Sequence, residues 1–384
     1  MAEDMSIDIQ EIKKNKVVKI VVIGVGGGGS NMVSHLYKSS AHEDLTLIAA
    51  NTDIQHLSVC QVPIKIQLGE RITAGLGAGA DDEMGKKAAL ESMDEIKHHL
   101  TGADMVIVCA GLGGGTGTGA APVIAQIAKE LGALTVSIST KPFKFEGPKR
   151  MKAAQRGFEE LNKVSDSIIV VPNDKLRSII GKNTGLKESF RMVDSVLSRA
   201  ASGLSSIILD YGEDDINVDF ADLKRVMNYR GLALMGIGEG SGENASIDAL
   251  RSAIESPLFD NLSINGAKGV AINFYIHPEY PMMQIEDTMD FINEVVDSEE
   301  ADIIFGTRTD ASLPQDFARV TVIATGFEKS ITAAANPEQT SAKQADSAPK
   351  QQDFSFNYNE LKLVSGSDDV VDYDQPSYLR AKKD

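Results

Sequence analysis

Apolar residues recur along this chain in two rhythms. In the first half, short unbroken apolar runs at residues 17–23, 45–50, 105–110, 134–139 and 168–171 read as buried strands. Between them lie stretches with helical spacing. In residues 84–100, Ala89, Met93, Ile96 and Leu100 recur at intervals of 4, 3 and 4 and line one face of a helix. Strands of this kind alternating with helices predict a parallel sheet covered on both faces, a Rossmann-like α/β domain over residues 17–185.

The helical rhythm then lengthens. Leu186, Phe190, Val193, Leu197, Ala201, Leu204 and Ile208 form one sustained stripe, which predicts a central helix of about six turns over residues 186–209. This helix and its connection, 186–216, lead into a second, smaller α/β domain at 217–328. There, helices are expected at 220–227 and 245–256, and strands at 269–275, 302–306 and 319–325. Residues 332–367 lose apolar periodicity and fill with Ala, Gln, Ser, Asn, Asp and Lys. That composition predicts a disordered linker, bounded at 329–369, with a root-mean-square span of roughly 35 Å. Residues 370–384 regain Tyr, Leu and Arg and read as a short binding peptide, while 1–16 read as a flexible N-terminus without a signal sequence.

Charge and cysteine usage narrow the classes. A formal net charge of −17 over 384 residues argues against nucleic acid as a partner and against direct insertion into an anionic membrane. The two cysteines, Cys60 and Cys109, sit in apolar stretches and suggest no disulfide framework. No apolar run reaches the ~20 residues that span a bilayer. A soluble, cytoplasmic protein is the expectation.

The chemistry lies in glycines. Residues 24–31, Gly-Val-Gly-Gly-Gly-Gly-Ser-Asn, follow a predicted strand directly and precede a helix. Such a loop brings backbone N–H groups and a helix N-terminus to an anion. Gly24, Gly26 and Gly29 also satisfy the dinucleotide fingerprint, and Asp53 stands where a ribose-binding acid would be. This loop alone leaves a dinucleotide dehydrogenase and another nucleotide binder equally open. A second loop at 111–119, Gly-Leu-Gly-Gly-Gly-Thr-Gly-Thr-Gly, repeats the arrangement ahead of a helix expected at 120–131. Two such loops on one sheet make a cradle for a polyphosphate, and the threonines can add hydroxyl donors. Close strand–helix packing would explain one such loop better than two. Neither ends in Gly-Lys-Ser/Thr, so a P-loop lysine is absent.

The run Gly-Gly-Gly-Thr-Gly-Thr-Gly at 113–119 resembles the signature of the tubulin/FtsZ family of GTPases. Matching segments stand at 51–53, 75–80, 141–147, 172–175 and 217–222, and the resemblance runs from about residue 19 to 327. It implies GTP and GDP as ligands with Mg²⁺, for which no side-chain ligand is assigned. It places the α- and β-phosphates at Gly27, Gly28, Gly29, Ser30 and Asn31, and the γ-phosphate near Ala78, Gly79 and Ala80. Gly115, Thr116 and Gly117 would complete the cradle, with Glu146 and Arg150 on the ribose side. Asp194, assisted by Asn173, would read the base, and Phe190 would stack on it, although Phe190 also fits the core stripe. A carboxylate can accept from guanine N1–H and the 2-amino group, whereas adenine offers neither donor there.

The same resemblance assigns catalysis to Asn217, Asp219 and Asp222, acting on the nucleotide of a neighbouring copy. Hydrolysis would then require head-to-tail self-association, which gives filaments and a division ring at mid-cell. From the residues alone, Asp219 is equally a helix cap with Asp222 in the first turn. At the C-terminus Asp374, Pro376, Tyr378, Leu379 and Arg380 resemble the family's adaptor-binding peptide, with Gln375 departing from its usual aliphatic residue. The alternatives are an NAD-dependent dehydrogenase and a tubulin-like binder that does not hydrolyse. The first leaves the second glycine loop unexplained. The second would be expected to lack Asp219 or Asp222.

Overall fold

In a computed structural model the chain is described over residues 18–327, apart from 40–42, 179, 182, 210–211, 213–214, 257–258, 260–263 and 297–300. The expected N-terminal segment, linker and C-terminal peptide lie outside the described residues.

The sheet begins with β1 (Ile20–Val25), whose six residues are all buried. Because strand side chains alternate, Ile20 and Val22 enter one core while Val21, Ile23 and Val25 enter another on the opposite face. β2 (Leu45–Asn51), β3 (Ile64–Gln67), β4 (Met105–Gly111), β5 (Leu134–Lys141) and β6 (Ser167–Pro172) join it in parallel. On the first face lie α1 (Gly26–Lys38) and α8 (Leu186–Leu209), which contribute Met32, Leu36, Val193, Leu197 and Leu204. On the other lie α4 (Asp82–Glu91), α5 (Met93–Leu100), α6 (Thr116–Glu130) and α7 (Pro148–Val164). Two short helices, α2 (Ile54–Val59) and α3 (Glu70–Thr73), flank β3.

Past α8, the small helix α9 (Phe220–Met227) leads into β7 (Gly231–Ser241), α10 (Ala245–Ile254), β8 (Gly269–Ile276), α11 (Met282–Val295), β9 (Asp302–Thr309) and β10 (Phe317–Thr325). β7 has two partners in succession. Residues 231–233 pair parallel with Ser167, Ile168 and Ile169 of β6, and Leu234 onward pairs antiparallel with β10. The sheet is therefore one ten-stranded surface in the order β3-β2-β1-β4-β5-β6-β7-β10-β8-β9. A third core, with Phe259, Phe274 and Ile292, covers its antiparallel end.

Several expectations need correction. The first strand begins at Ile20 rather than residue 17, and it runs on to Val25. The first glycine loop is largely helical, since α1 starts at Gly26, and α6 starts inside the second, at Thr116 rather than residue 120. The single helix expected at 84–100 is two, broken at Ser92. Its Oγ accepts from Gly69 N–H at 3.0 Å and donates to the Gln67 carbonyl at 3.3 Å, which ties the break to the end of β3. β3, β7 and α11 had no strong periodic signal, and the helix expected to reach residue 256 ends at Ile254. The central helix spans 186–209 as predicted.

Candidate nucleotide site

At the carboxyl ends of β1, β4, β5 and β6, the starts of α1 and α6 face each other across a cleft of about 360 Å³. A crevice at that edge of a parallel sheet is where α/β folds bind ligands. Gly27, Gly28 and Asn31 of α1 line it, with Gly115, Thr116 and Gly117 at the start of α6. Glu146, Arg150, Asn173, Phe190 and Asp194 complete the other end. Gly114, Thr140, Pro142 and Val193 line the cleft as well and were not singled out from sequence. Thr140 and Pro142 could have been found from their place at the end of the fifth strand.

The glycines divide into two kinds. A Cβ on Gly29 would stand 2.2 Å from the Cys109 carbonyl oxygen, and one on Gly119 would stand 1.9 Å from that of Asp82. These positions are small because helices sit directly on backbone. Gly27 and Gly114 differ, since a Cβ on Gly27 would find its nearest neighbour 4.0 Å away and one on Gly114 nothing within 4 Å. Their bareness leaves room in the cleft. Gly29 and Ser30 are buried behind the cleft surface, and the Ser30 hydroxyl has no hydrogen-bond partner among the described residues. The threonine hydroxyls also bond within the fold. Thr118 Oγ1 accepts from Gly113 N–H at 2.8 Å, and Thr116 Oγ1 is 2.7 Å from Thr52 Oγ1.

Ala78, Gly79 and Ala80 do not line the cleft. They lie beside it, because a Cβ on Gly115 would come within 2.8 Å of the Ala78 methyl. Gly79 and Ala80 both adopt positive φ, 58° and 61°. For Ala80 that is an uncommon conformation, one that surrounding structure must hold.

At the far end, Glu146 accepts from Phe143 N–H at 2.8 Å and pairs with Arg150. Phe190 is 37% exposed and meets buried Phe143 edge to face, with ring centroids 5.6 Å apart. It is a wall of the cleft and not core. Asn173 is buried, yet its Oδ1 has no partner among the described residues. Asp194 makes no hydrogen bond or ion pair among the described residues, and burial pushes its carboxyl up to about 7. An unpaired buried amide oxygen and an unpaired half-buried acid at one end of a glycine cradle describe a site built for a polar ligand that carries N–H donors.

Asn217, Asp219 and Asp222 do not line this cleft. Asp219 caps α9, its Oδ1 accepting from Asp222 N–H at 2.8 Å. Asn217 closes a local loop by donating to the Gly212 carbonyl at 3.1 Å. The capping role expected of Asp219 is present, and the cleft has no acid placed as a base for water except the half-buried Asp194 and the paired Glu146.

Two family models match the chain: the GTPase domain of the Tubulin/FtsZ family over residues 19–181, and the C-terminal domain of the FtsZ family over 231–328. The cell division protein FtsZ of Helicobacter pylori strain J99 is 52% identical over 319 residues, covering 83% of this chain and 82% of that protein. The chain belongs to the FtsZ family. FtsZ of Aquifex aeolicus is 47% identical over 309 residues, covering 80% of this chain and 83% of its own length. Among solved structures, an empty FtsZ dimer from M. jannaschii superposes with a TM-score of 0.75 at 40% identity, covering 82% of this chain and 89% of that one. As an FtsZ-family protein this is a guanine-nucleotide GTPase of the cell-division cytoskeleton, and the dehydrogenase alternative falls away.

Proposed function

We propose that the cleft holds GTP with its phosphates against the first turns of α1 and α6 and its base between Phe190, Asn173 and Asp194. The unpaired Asn173 Oδ1 and the protonation-prone Asp194 support the base end. At the phosphate end, Gly27, Gly28, Gly114 and Gly115 line the cleft, and the open faces of Gly27 and Gly114 support backbone N–H donation. Gly29 and the orphaned Ser30 hydroxyl would support that cradle from beneath. Ala78, Gly79 and Ala80 lie beside it as γ-phosphate contacts. Glu146 and Arg150 would flank the ribose. A Mg²⁺ ion fits this site only through phosphate oxygens and water, because no three His, Cys, Asp or Glu side chains converge among the described residues. The ion would shield phosphate charge.

Turnover is completed by a second copy. The observation that carries this reading is a phosphate cradle without a free base in its lining, while Asp219 and Asp222 stand at the exposed start of α9 in the same chain. In a head-to-tail contact Asp219 and Asp222 polarise the attacking water and Asn217 helps to position it. The empty dimer solved for the M. jannaschii relative is consistent with self-association. Residues 17–185 then act as the nucleotide domain, 186–216 as the spine and 217–328 as the activating domain. The peptide with Asp374, Pro376, Tyr378, Leu379 and Arg380 recruits membrane-tethering adaptors at a mid-cell ring, in the cytoplasm.

The test is phosphate release with GTP or ATP across protein concentrations, with light scattering read alongside. Turnover with GTP alone should rise above a threshold concentration together with scattering. GTP turnover proportional to protein from the lowest concentration would mean that one copy carries a complete site. Asp222→Ala should retain GTP binding and lose assembly-dependent turnover, and unchanged turnover would remove the role in trans.

A further inference from the structure

The phosphate end of the cleft is poor in positive charge. Among its lining residues the single Lys or Arg is Arg150, and it is already paired with Glu146. Helix N-termini compensate in part, but they supply fixed partial charges rather than a mobile donor. One titratable side chain borders this end without lining the cleft. The Nε2 atom of His56, on α2, lies 4.0 Å from the point where a Cβ on Gly27 would stand, nearer than any other atom outside the adjacent backbone. Gly27 is exposed at the first turn of α1 and lines the cleft.

The other ring nitrogen of His56 decides what Nε2 can do. Nδ1 is buried and has no hydrogen-bond partner among the described residues. A proton there would be a buried donor without an acceptor, which is costlier than an unpaired lone pair. The neutral ring therefore carries its proton on Nε2, the nitrogen beside Gly27. The ring's position is set by the local cap: Asp53 Oδ1 accepts from the backbone N–H groups of Gln55 at 2.9 Å and His56 at 3.1 Å, fixing the start of α2. The chain thus holds an imidazole N–H donor at the rim of an anion cradle.

We propose that His56 is a phosphate-binding residue of the nucleotide site, donating from Nε2 to the polyphosphate held at the start of α1. This rests on the reading of the cleft as the GTP site and adds to it a side-chain donor where the P-loop lysine is missing. A phosphate contact and a packing role differ in one observable. Loss of a phosphate contact weakens ligands according to whether they carry phosphates there, whereas a disturbed α2 would weaken all of them alike.

The experiment measures GTP, GDP and guanosine affinities of the full chain for the native protein, His56→Ala and His56→Gln. Glutamine keeps an N–H donor at a similar reach. His56→Ala should weaken GTP and GDP by about tenfold, the size of a hydrogen bond to a charged group. Guanosine binding should be unchanged, and His56→Gln should recover most of the loss. Equal GTP and GDP affinities in all three proteins would overturn the assignment while leaving the cleft reading intact, as would a loss of the same size for guanosine. Should His56→Ala not fold, His56→Glu against His56→Gln asks the same question, with repulsion of GTP and GDP expected and equal affinity overturning it. Failure of the native protein to bind GTP would instead remove the cleft reading, and this inference with it.

Discussion

At the scale of single residues, Asp194 is the most informative. Its carboxyl, ordinarily near 3.8, is raised to about 7 by burial in the free protein. On the proposed reading, guanine bound through N1–H and the 2-amino group would stabilise the carboxylate, so binding would lower that value again and release a proton. Nucleotide affinity should therefore fall as pH drops below about 7, approaching tenfold per pH unit. GDP titrations between pH 5.5 and 8 would show this, and Asp194→Asn should abolish the dependence. The stability sign is opposite. Because the folded value lies above the unfolded one, the nucleotide-free protein gains stability from this group as pH falls from about 7 toward 3.8. Only part of this was legible. The position of Asp194 beside the apolar stripe was visible in the chain, whereas its partial burial follows from where α8 meets β5. Phe190 shows the converse. The same stripe could not separate a cleft wall from core, because a helix face that is apolar throughout can serve both.

At the scale of elements, the starts of α1 and α6 were legible as glycine loops because only glycine permits such close approach. What the residues could not reveal is which of these glycines serve helix packing and which border the cleft. That sorting depends on which backbone lies opposite, a long-range fact. It makes a paired prediction for α6. Gly119→Ala forces a methyl onto the Asp82 carbonyl of α4 and should lower unfolding stability by about 3 kcal/mol or more. Gly114→Ala meets open space and should change stability by less than about 0.5 kcal/mol while weakening nucleotide binding. Denaturant midpoints and GDP affinities on both variants check the pair. The break at Ser92 was hidden for a related reason. Ala89, Met93, Ile96 and Leu100 keep their helical phase across it, and only the bonds from Ser92 to Gly69 and Gln67 show why the backbone turns.

At the scale of the molecule, the expectation of a parallel sheet and a separate smaller unit captured the elements and missed the seam. β7 changes partner part-way along its length, from parallel β6 to antiparallel β10, so hydrogen bonding crosses between the halves. Its sequence, Gly-Leu-Ala-Leu-Met-Gly-Ile-Gly-Glu-Gly-Ser, is too rich in glycine to read as a long strand. Three of those glycines, Gly236, Gly238 and Gly240, admit the backbone of α10 at close range. With a continuous sheet and with α8 packed against both halves, residues 18–327 should unfold as one cooperative unit. Calorimetry should give a single transition whose calorimetric and van't Hoff enthalpies agree, and two separable transitions would contradict it.

α8 touches both ends of this arrangement. Near its start it presents Phe190 and Asp194 to the cleft, and farther along Gly203 lies against Met235 and Thr321 of the antiparallel half. A straight helix of 24 residues is a rod about 36 Å long. Pivoted at Asp194, a tilt of about 5° would carry its far end, about 22 Å away, by about 2 Å. The segment that bears Asn217, Asp219 and Asp222 follows from that far end. The fold thus joins the cleft to the approach of α9 by one rigid rod, so that a small tilt at one end is a larger shift at the other.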